Sequence, residues 1–169
     1  MVCGEKFACN QLPTSGDGNN CLGYALRDSL LVSPQALREF LIEHVRTSTD
    51  PGILAMSIVE HSSDVGCAIR ALQSGCFIPA DVFVHFVQTK PRHVVHPASF
   101  VFMSEESDVY TPVLCHWEEN QNTYYIGSDN THYSAVVVRD SDSLDSLLRA
   151  RYSDRSRTSM SSVTLFSRN

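Results

Sequence analysis

Lysine is nearly missing from this 169-residue chain: Lys6 and Lys90 are the two among 13 basic residues, set against 19 acidic ones for a net charge of −6. A nucleic-acid partner normally requires a basic face, so this balance argues against that class of function. A modest negative charge mostly serves solubility and carries no substrate signal of its own. Long apolar runs are missing too. No stretch approaches the roughly eighteen residues of a membrane span, and no membrane partner is expected. Met1 to Pro13 lacks the basic end and continuous apolar run of a secretory signal. There is no CxxC, and Cys115 beside His116 has no second ligand pair at a usable spacing, so neither a metal nor another cofactor is expected.

What is present suffices for a core. Hydrophobic residues make up 43% of the chain, and a chain of this length can bury a core without disulfide or metal staples. Residues 1–169 read as a single monomeric domain with a core at about 12–150. The Ser/Arg-rich tail over 154–162 is expected to be loosely ordered, with Val163 to Phe166 docking back. Six cysteines (Cys3, Cys9, Cys21, Cys67, Cys76 and Cys115) are scattered along a chain long for a disulfide scaffold. That pattern points to reduced thiols in a cytoplasmic compartment.

Helical patterning fills the first half. Ala25, Leu26, Ser29 and Leu30 share one helix face after Cys21. Ser33-Pro34 reads as an N-cap followed by proline at the first helical position. Leu37, Phe40, Leu41, His44 and Val45 then form a stripe of period 3.6. Asp50-Pro51-Gly52 breaks the chain before a short helix over Ile53 to Glu60, and Val65, Ala68, Ile69 and Leu72 mark a further stripe ended by Gly75. Pro79-Ala80-Asp81 opens one more helix, although Val82 to Val87 also alternates like a strand. After Pro91 the character changes. Ser99 to Met103, Thr111 to Trp117, Thr123 to Gly127 and His132 to Val138 are short, rich in valine and aromatics, and separated by polar turns, which are strand signals. Helices first and strands later predict an α+β domain, a helical lobe packed on a mainly antiparallel sheet.

Residues 15–26, SGDGNNCLGYAL, run a polar loop into Cys21 at a helix start. Unpaired amides and the helix dipole at such a junction stabilise a thiolate, and the loop amides can meet a developing oxyanion. Gly18 permits a tight backbone, while Asn19 and Asn20 tolerate left-handed conformations and add side-chain amides. The alternative is a plain turn with Cys21 as a buried cap. A nucleophilic thiolate needs a base distant in sequence. Among the seven histidines, His132 is the best placed, because it opens the most apolar strand after a turn rich in Asp, Asn and Ser. His44 and His85 fall inside helix stripes, and His116 sits mid-strand beside Trp117.

Together, DGNNCLGYAL and THYSAVVV resemble the ovarian-tumour (OTU) family of papain-like cysteine proteases, most of them deubiquitinases. Members carry Asp-Gly-x-Cys before a helix and, near the end, a histidine followed by an aromatic residue on a strand. The order of elements over roughly residues 12 to 138 is similar as well, and the Asn-Asn-Cys form is similar to divergent versions in pathogen effectors and viral proteins. The resemblance implies Cys21 as nucleophile, His132 as base and an oxyanion hole at Gly18, Asn19 and Asn20. It implies ubiquitin or a ubiquitin-like conjugate as partner, in a host cytosol for a pathogen protein. The chain departs from the pattern twice. Asn20 is an apparent insertion that sets Asp17 four residues before the cysteine, and Ser134 stands where an Asp or Asn often follows the histidine. Asp17 is the first choice for the third member, ahead of Asn130 and Ser134, and a plain dyad is the remaining option. Trp117 and Tyr133 are either walls of a slot for the modifier's Gly-Gly tail or core residues. A papain-like protease cutting a viral polyprotein or host peptide bond, and a catalytically silent ubiquitin-binding module, are the rival functions.

Overall fold

Helix α1 spans Cys21–Ala25, shorter than the apolar face through Leu30 predicts. Arg27 takes a left-handed backbone (φ 54°) and a 3-10 turn covers Arg27–Ser29. The break lets the chain run out into an extended bridge, in which Leu30 pairs with Val95 and the Leu31 N–H donates to the Val94 carbonyl at 2.8 Å. Helix α2, Pro34–Thr47, begins as its sequence signal implies: Ser33 is extended and its hydroxyl accepts from the Ala36 N–H at 3.0 Å. That bond satisfies one of the donors a helix start leaves open. Leu37, Leu41 and Val45 on its stripe are fully buried.

Helix α3, Pro51–Ile58, starts at the proline itself, two residues before the expected Ile53. Helix α4, Val65–Gln73, is capped by the Asp64 carboxylate, which accepts from the Gly66 N–H at 2.9 Å, and its exit passes through Gly75 at φ +87°. Helix α5, Ala80–Val87, resolves the ambiguous segment as a helix. Val82, Phe83, Val84, Phe86 and Val87 are all buried. A helix buried on most sides shows neither period cleanly, which explains the strand-like alternation.

The computed structural model describes residues 5–129, 131–152 and 162–165, and these fall into two compact units. One is the helical unit Ser15–His96. The other joins the residues before Ser15 to those after His96 and holds the sheet. Its strands are β1 (Phe7–Gln11), β2 (Ser99–Glu106), β3 (Val109–Trp117), β4 (Thr123–Ser128), β5 (Tyr133–Val138) and β6 (Ser162–Leu165), with helix α6 (Ser141–Tyr152) before the last.

The strand order is β1-β5-β4-β2-β3-β6, with β1 also paired to β3, so five strands form a closed circuit. All pairings are antiparallel except β2 with β4, which agrees with a mainly antiparallel sheet. Val101, Met103, Tyr110, Cys115, Trp117, Val136 and Val138 form its core with Leu144, Leu148 and Tyr152 of α6. Neither β1 nor α6 is among the elements read from the sequence. Residues 163–165 dock on β3 as expected, Leu165 opposite Leu114; Phe166 and the tail over 153–161 lie outside the described residues.

Candidate active site

The cysteine loop belongs to the helical unit. Asp17–Asn19 form a 3-10 turn in which Gly18 (φ 63°) and Asn19 (φ 58°) are left-handed, the conformation Gly and Asn accept at least cost. Within the turn the Asn19 N–H donates to the Gly16 carbonyl and the Asn20 N–H to the Asp17 carbonyl, both at 3.1 Å. The Asn19 side-chain amide donates to the Gly75 carbonyl at 2.8 Å. Asn19 is therefore engaged through both its amides, and the Gly18 N–H and Asn20 Nδ2 are the loop donors that no hydrogen bond among the described residues uses. Asp17 is exposed.

Cys21 follows at the head of α1 and is 2% exposed. With five residues, α1 supplies the aligned amides of little more than one turn rather than a long dipole. Asn20 occupies its N-cap position without making a side-chain cap. The reason is Arg38 of α2, a residue the sequence reading did not single out. The residue is 6% exposed. Nε and Nη2 donate to Asn20 Oδ1 at 3.2 and 3.0 Å, Nη2 also to the Asn19 carbonyl at 3.0 Å, and Nη1 to the carbonyls of Leu72 and Cys76 at 3.2 and 2.8 Å. The buried charge is thus surrounded by acceptors, as a buried guanidinium must be. An arginine one position off an apolar stripe looks like a solvated residue in a sequence, so its pattern gives no warning. Gly23 completes the arrangement: a Cβ there would lie 2.5 Å from Pro34 Cβ, so only glycine lets α1 approach the start of α2 this closely.

The histidine belongs to the sheet unit, directly before β5 rather than inside it. The Asp129 carboxylate accepts from the Thr131 N–H and hydroxyl at 3.0 and 2.8 Å and from the His132 N–H at 3.0 Å. These bonds, those from Thr131 foremost, hold its pKa below the ordinary carboxylate value. The turn aims the His132 ring so that Nε2 lies 3.2 Å from the Thr14 carbonyl oxygen. Thr14 is itself strapped to β5. Its hydroxyl accepts from the Ala135 N–H at 3.2 Å and donates to the Leu12 carbonyl at 3.0 Å, and the Leu12 N–H donates to the Ala135 carbonyl at 2.8 Å. A carbonyl can only accept, so this contact is a hydrogen bond when Nε2 carries the proton, which leaves Nδ1 with the lone pair.

Ser134 is buried on β5 opposite Gly127, and Asn130 lies outside the described residues. Both aromatics read as slot walls or core residues are buried. Trp117, 8% exposed, stacks on Tyr152 with centroids 6.2 Å apart, and Tyr133, 3% exposed, meets the Phe102 ring edge-on at 6.0 Å. Among the described cysteines none is in a disulfide. Burial pushes the Cys9 thiol up to about 11 and Cys115 up to about 12, and it raises Cys76 as well.

The solved structure of an OTU deubiquitinase from Wolbachia pipientis wMel is similar to this chain, with a TM-score of 0.53 and 15% sequence identity over 85% of this chain and 96% of that one. The OTU domain of OTUD1 aligns with a TM-score of 0.46 and 20% identity over 78% and 85% of the two chains. No family model matches the sequence. No curated protein matches it significantly. The Wolbachia structure shows the fold: the chain has the α+β, papain-like fold of OTU domains.

Proposed function

We propose that the chain is a cysteine isopeptidase that releases ubiquitin or a ubiquitin-like protein from its conjugates. The observation that carries this reading is the OTU fold shared with a protein described as a deubiquitinase, with Cys21 at the head of α1 behind the Gly-Asn-Asn loop. In the proposed reaction the Cys21 sulfur attacks the carbonyl carbon of the modifier's C-terminal glycine, and its proton passes to His132 Nδ1. The oxyanion is held by donors of the loop at Gly18, Asn19 and Asn20, of which the Gly18 N–H and Asn20 Nδ2 are the unused ones. Collapse breaks the bond to the lysine amine, which leaves with the proton from His132. Water then adds to the thioester, giving its proton to Nδ1, and the cysteine is released from the modifier's carboxylate. The Thr14 carbonyl takes the orienting role that an acid has elsewhere, keeping the imidazole in the Nε2–H tautomer.

Incubation with ubiquitin carrying a C-terminal electrophile, followed by intact-mass measurement, tests the reading. One adduct per chain, lost in Cys21→Ala, is the expected result. A chain that hydrolyses peptides but ignores the probe would instead be a protease of another specificity. One that binds ubiquitin with no adduct would be a binding module.

A further inference from the structure

Arg38 is a buried cation whose hydrogen bonds end on the cysteine loop, on the last turn of α4 and on the segment just after it, and the proposed chemistry gives it no task. Five contacts to four acceptor groups use its Nε, Nη1 and Nη2. Two of them converge on one atom, Asn20 Oδ1. Guanidinium nitrogens only donate, so the end of the Asn20 amide facing Arg38 must be its oxygen. The amide therefore has a single orientation. Its Nδ2 lies on the other side, above Gly18, where a Cβ would be 3.3 Å from it. Gly18, left-handed and without a side chain, leaves room for that NH₂ group.

The geometry points to Arg38 as a positioning residue that fixes Asn20 with its Nδ2 as a donor to the substrate's acyl oxygen. This rests on the isopeptidase reading above and adds to it a side-chain donor beside the loop amides. The clamp has two consequences. It takes Oδ1 away from the cap of α1, whose first-turn amides then receive no side-chain oxygen from Asn20. It also binds the loop to the Leu72 and Cys76 carbonyls, so loop position depends on the end of α4. A donor fixed before substrate arrives needs no reorganisation as charge develops, which is where such groups gain their effect.

Asn20→Asp separates the donor from the clamp. A carboxylate still accepts from Nε and Nη2, with charge assistance, but has no N–H to offer. The expected result, on a fluorogenic ubiquitin C-terminal amide, is a fall in kcat of roughly 10²–10³-fold with little change in KM, the size seen on loss of one oxyanion donor. The melting temperature should equal or exceed that of the wild type. Alkylation of Cys21 by iodoacetamide forms no oxyanion and should keep its rate to within about threefold, a change under 1 kcal/mol. Arg38→Lys keeps the charge but not the fork, so it should also lower kcat, and adding Asn20→Asp to it should cost less than Asn20→Asp costs in the wild type, because the donor it removes is already misplaced. A wild type that does not turn over the ubiquitin substrate overturns the isopeptidase reading, and this inference falls with it. An active wild type whose Asn20→Asp variant keeps near-full kcat overturns the inference alone. So does a variant that melts lower, or one whose alkylation falls in parallel with turnover.

Discussion

The His132 imidazole presents Nε2 to the Thr14 carbonyl oxygen at 3.2 Å, so the main chain itself can select the ring's tautomer. The acceptor is neutral, and in the proposed reaction it separates the candidates for the third role. His132→Ala should lower kcat by about 10²–10⁴-fold, the cost of losing a positioned base. Asp17→Ala should leave kcat within a few-fold, because the exposed carboxylate is not needed to fix the tautomer. Thr14→Val removes the hydroxyl that ties Thr14 to Ala135 and should lower kcat by less than about 10²-fold, as misplacement rather than deletion. Ring nitrogen NMR should find the proton of neutral His132 on Nε2. A proton on Nδ1, or an Asp17→Ala variant as impaired as His132→Ala, would return the orienting role to the acid.

Burial quiets three of the other cysteines. Cys9 and Cys115 are pushed up to about 11 and about 12 and Cys76 is also raised, in each case first by burial, so all three hold their protons near neutral pH. Cys67 is half-buried, its sulfur accepting from Arg70 Nη2 at 3.3 Å and its thiol donating to the Asp64 carboxylate at 3.4 Å, and it is less buried than Cys21 toward small alkylating agents. A ubiquitin electrophile should nonetheless mark Cys21, since recognition of the modifier and not thiol reactivity selects the site. Peptide mapping after labelling checks this, and an adduct on Cys67 would show labelling by reactivity alone.

Much of the helical unit was legible because its signals are local. Ser33-Pro34, Asp50-Pro51 and Gly75 mark helix ends through their own backbone chemistry, and the α2 stripe follows from burial on one face. The cysteine loop was legible for the same reason: Gly18 permits and Asn19 tolerates the left-handed turn that precedes Cys21. What escaped depends on distant partners. β1 carries one buried residue, Phe7, in five, and becomes a strand through its pairing with β5 and β3. Arg27 breaks the first helix for the sake of a bridge to Val95. Arg38 and the Thr14 carbonyl gain their roles from acceptors and donors that local patterning does not connect: one is an arginine beside a stripe, the other a backbone atom that no substitution pattern reveals. Leu144, Leu148 and Tyr152 of α6 do repeat at a helical interval, and there the signal was present in the sequence.

Gly23 should be intolerant of the smallest side chain. A Cβ would meet Pro34 Cβ at 2.5 Å and Pro34 Cα at 2.7 Å, and neither a proline ring at a helix start nor a backbone atom can swing aside. Alanine is a better helix former than glycine, so propensity alone predicts stabilisation. Overpacking opposes it and typically costs about 1–3 kcal/mol, which is the larger effect. Gly23→Ala should therefore unfold at lower denaturant concentration with an unchanged m-value, and the shift of α1 should lower kcat as well. A variant more stable than the wild type would mean that α1 and α2 sit further apart than described.

His44, in contact with His85, is a pH-sensitive group on the helical unit. His44 Nε2 and His85 Nδ1 are 2.8 Å apart, and the His44 ring also meets Phe86 edge-on at 5.4 Å. Burial first, and the charge of His85 second, hold the His44 pKa below its ordinary value of 6.5. The unfolded chain then binds this proton more readily than the fold does, so stability rises with pH. The contribution is complete above about 6.5, is lost as pH falls from there through the lower folded value, and is constant below it. Asp64 and Asp129 also weaken the fold on acidification, but their pKa values are lowered from 3.8 and act in a separate, more acidic window. Melting temperatures across about pH 5 to 7 should fall with acidification in the wild type. His44→Gln cannot titrate, and its melting curve should be flatter over the same range whatever its absolute stability. A slope unchanged by the substitution would assign the pH dependence to other groups.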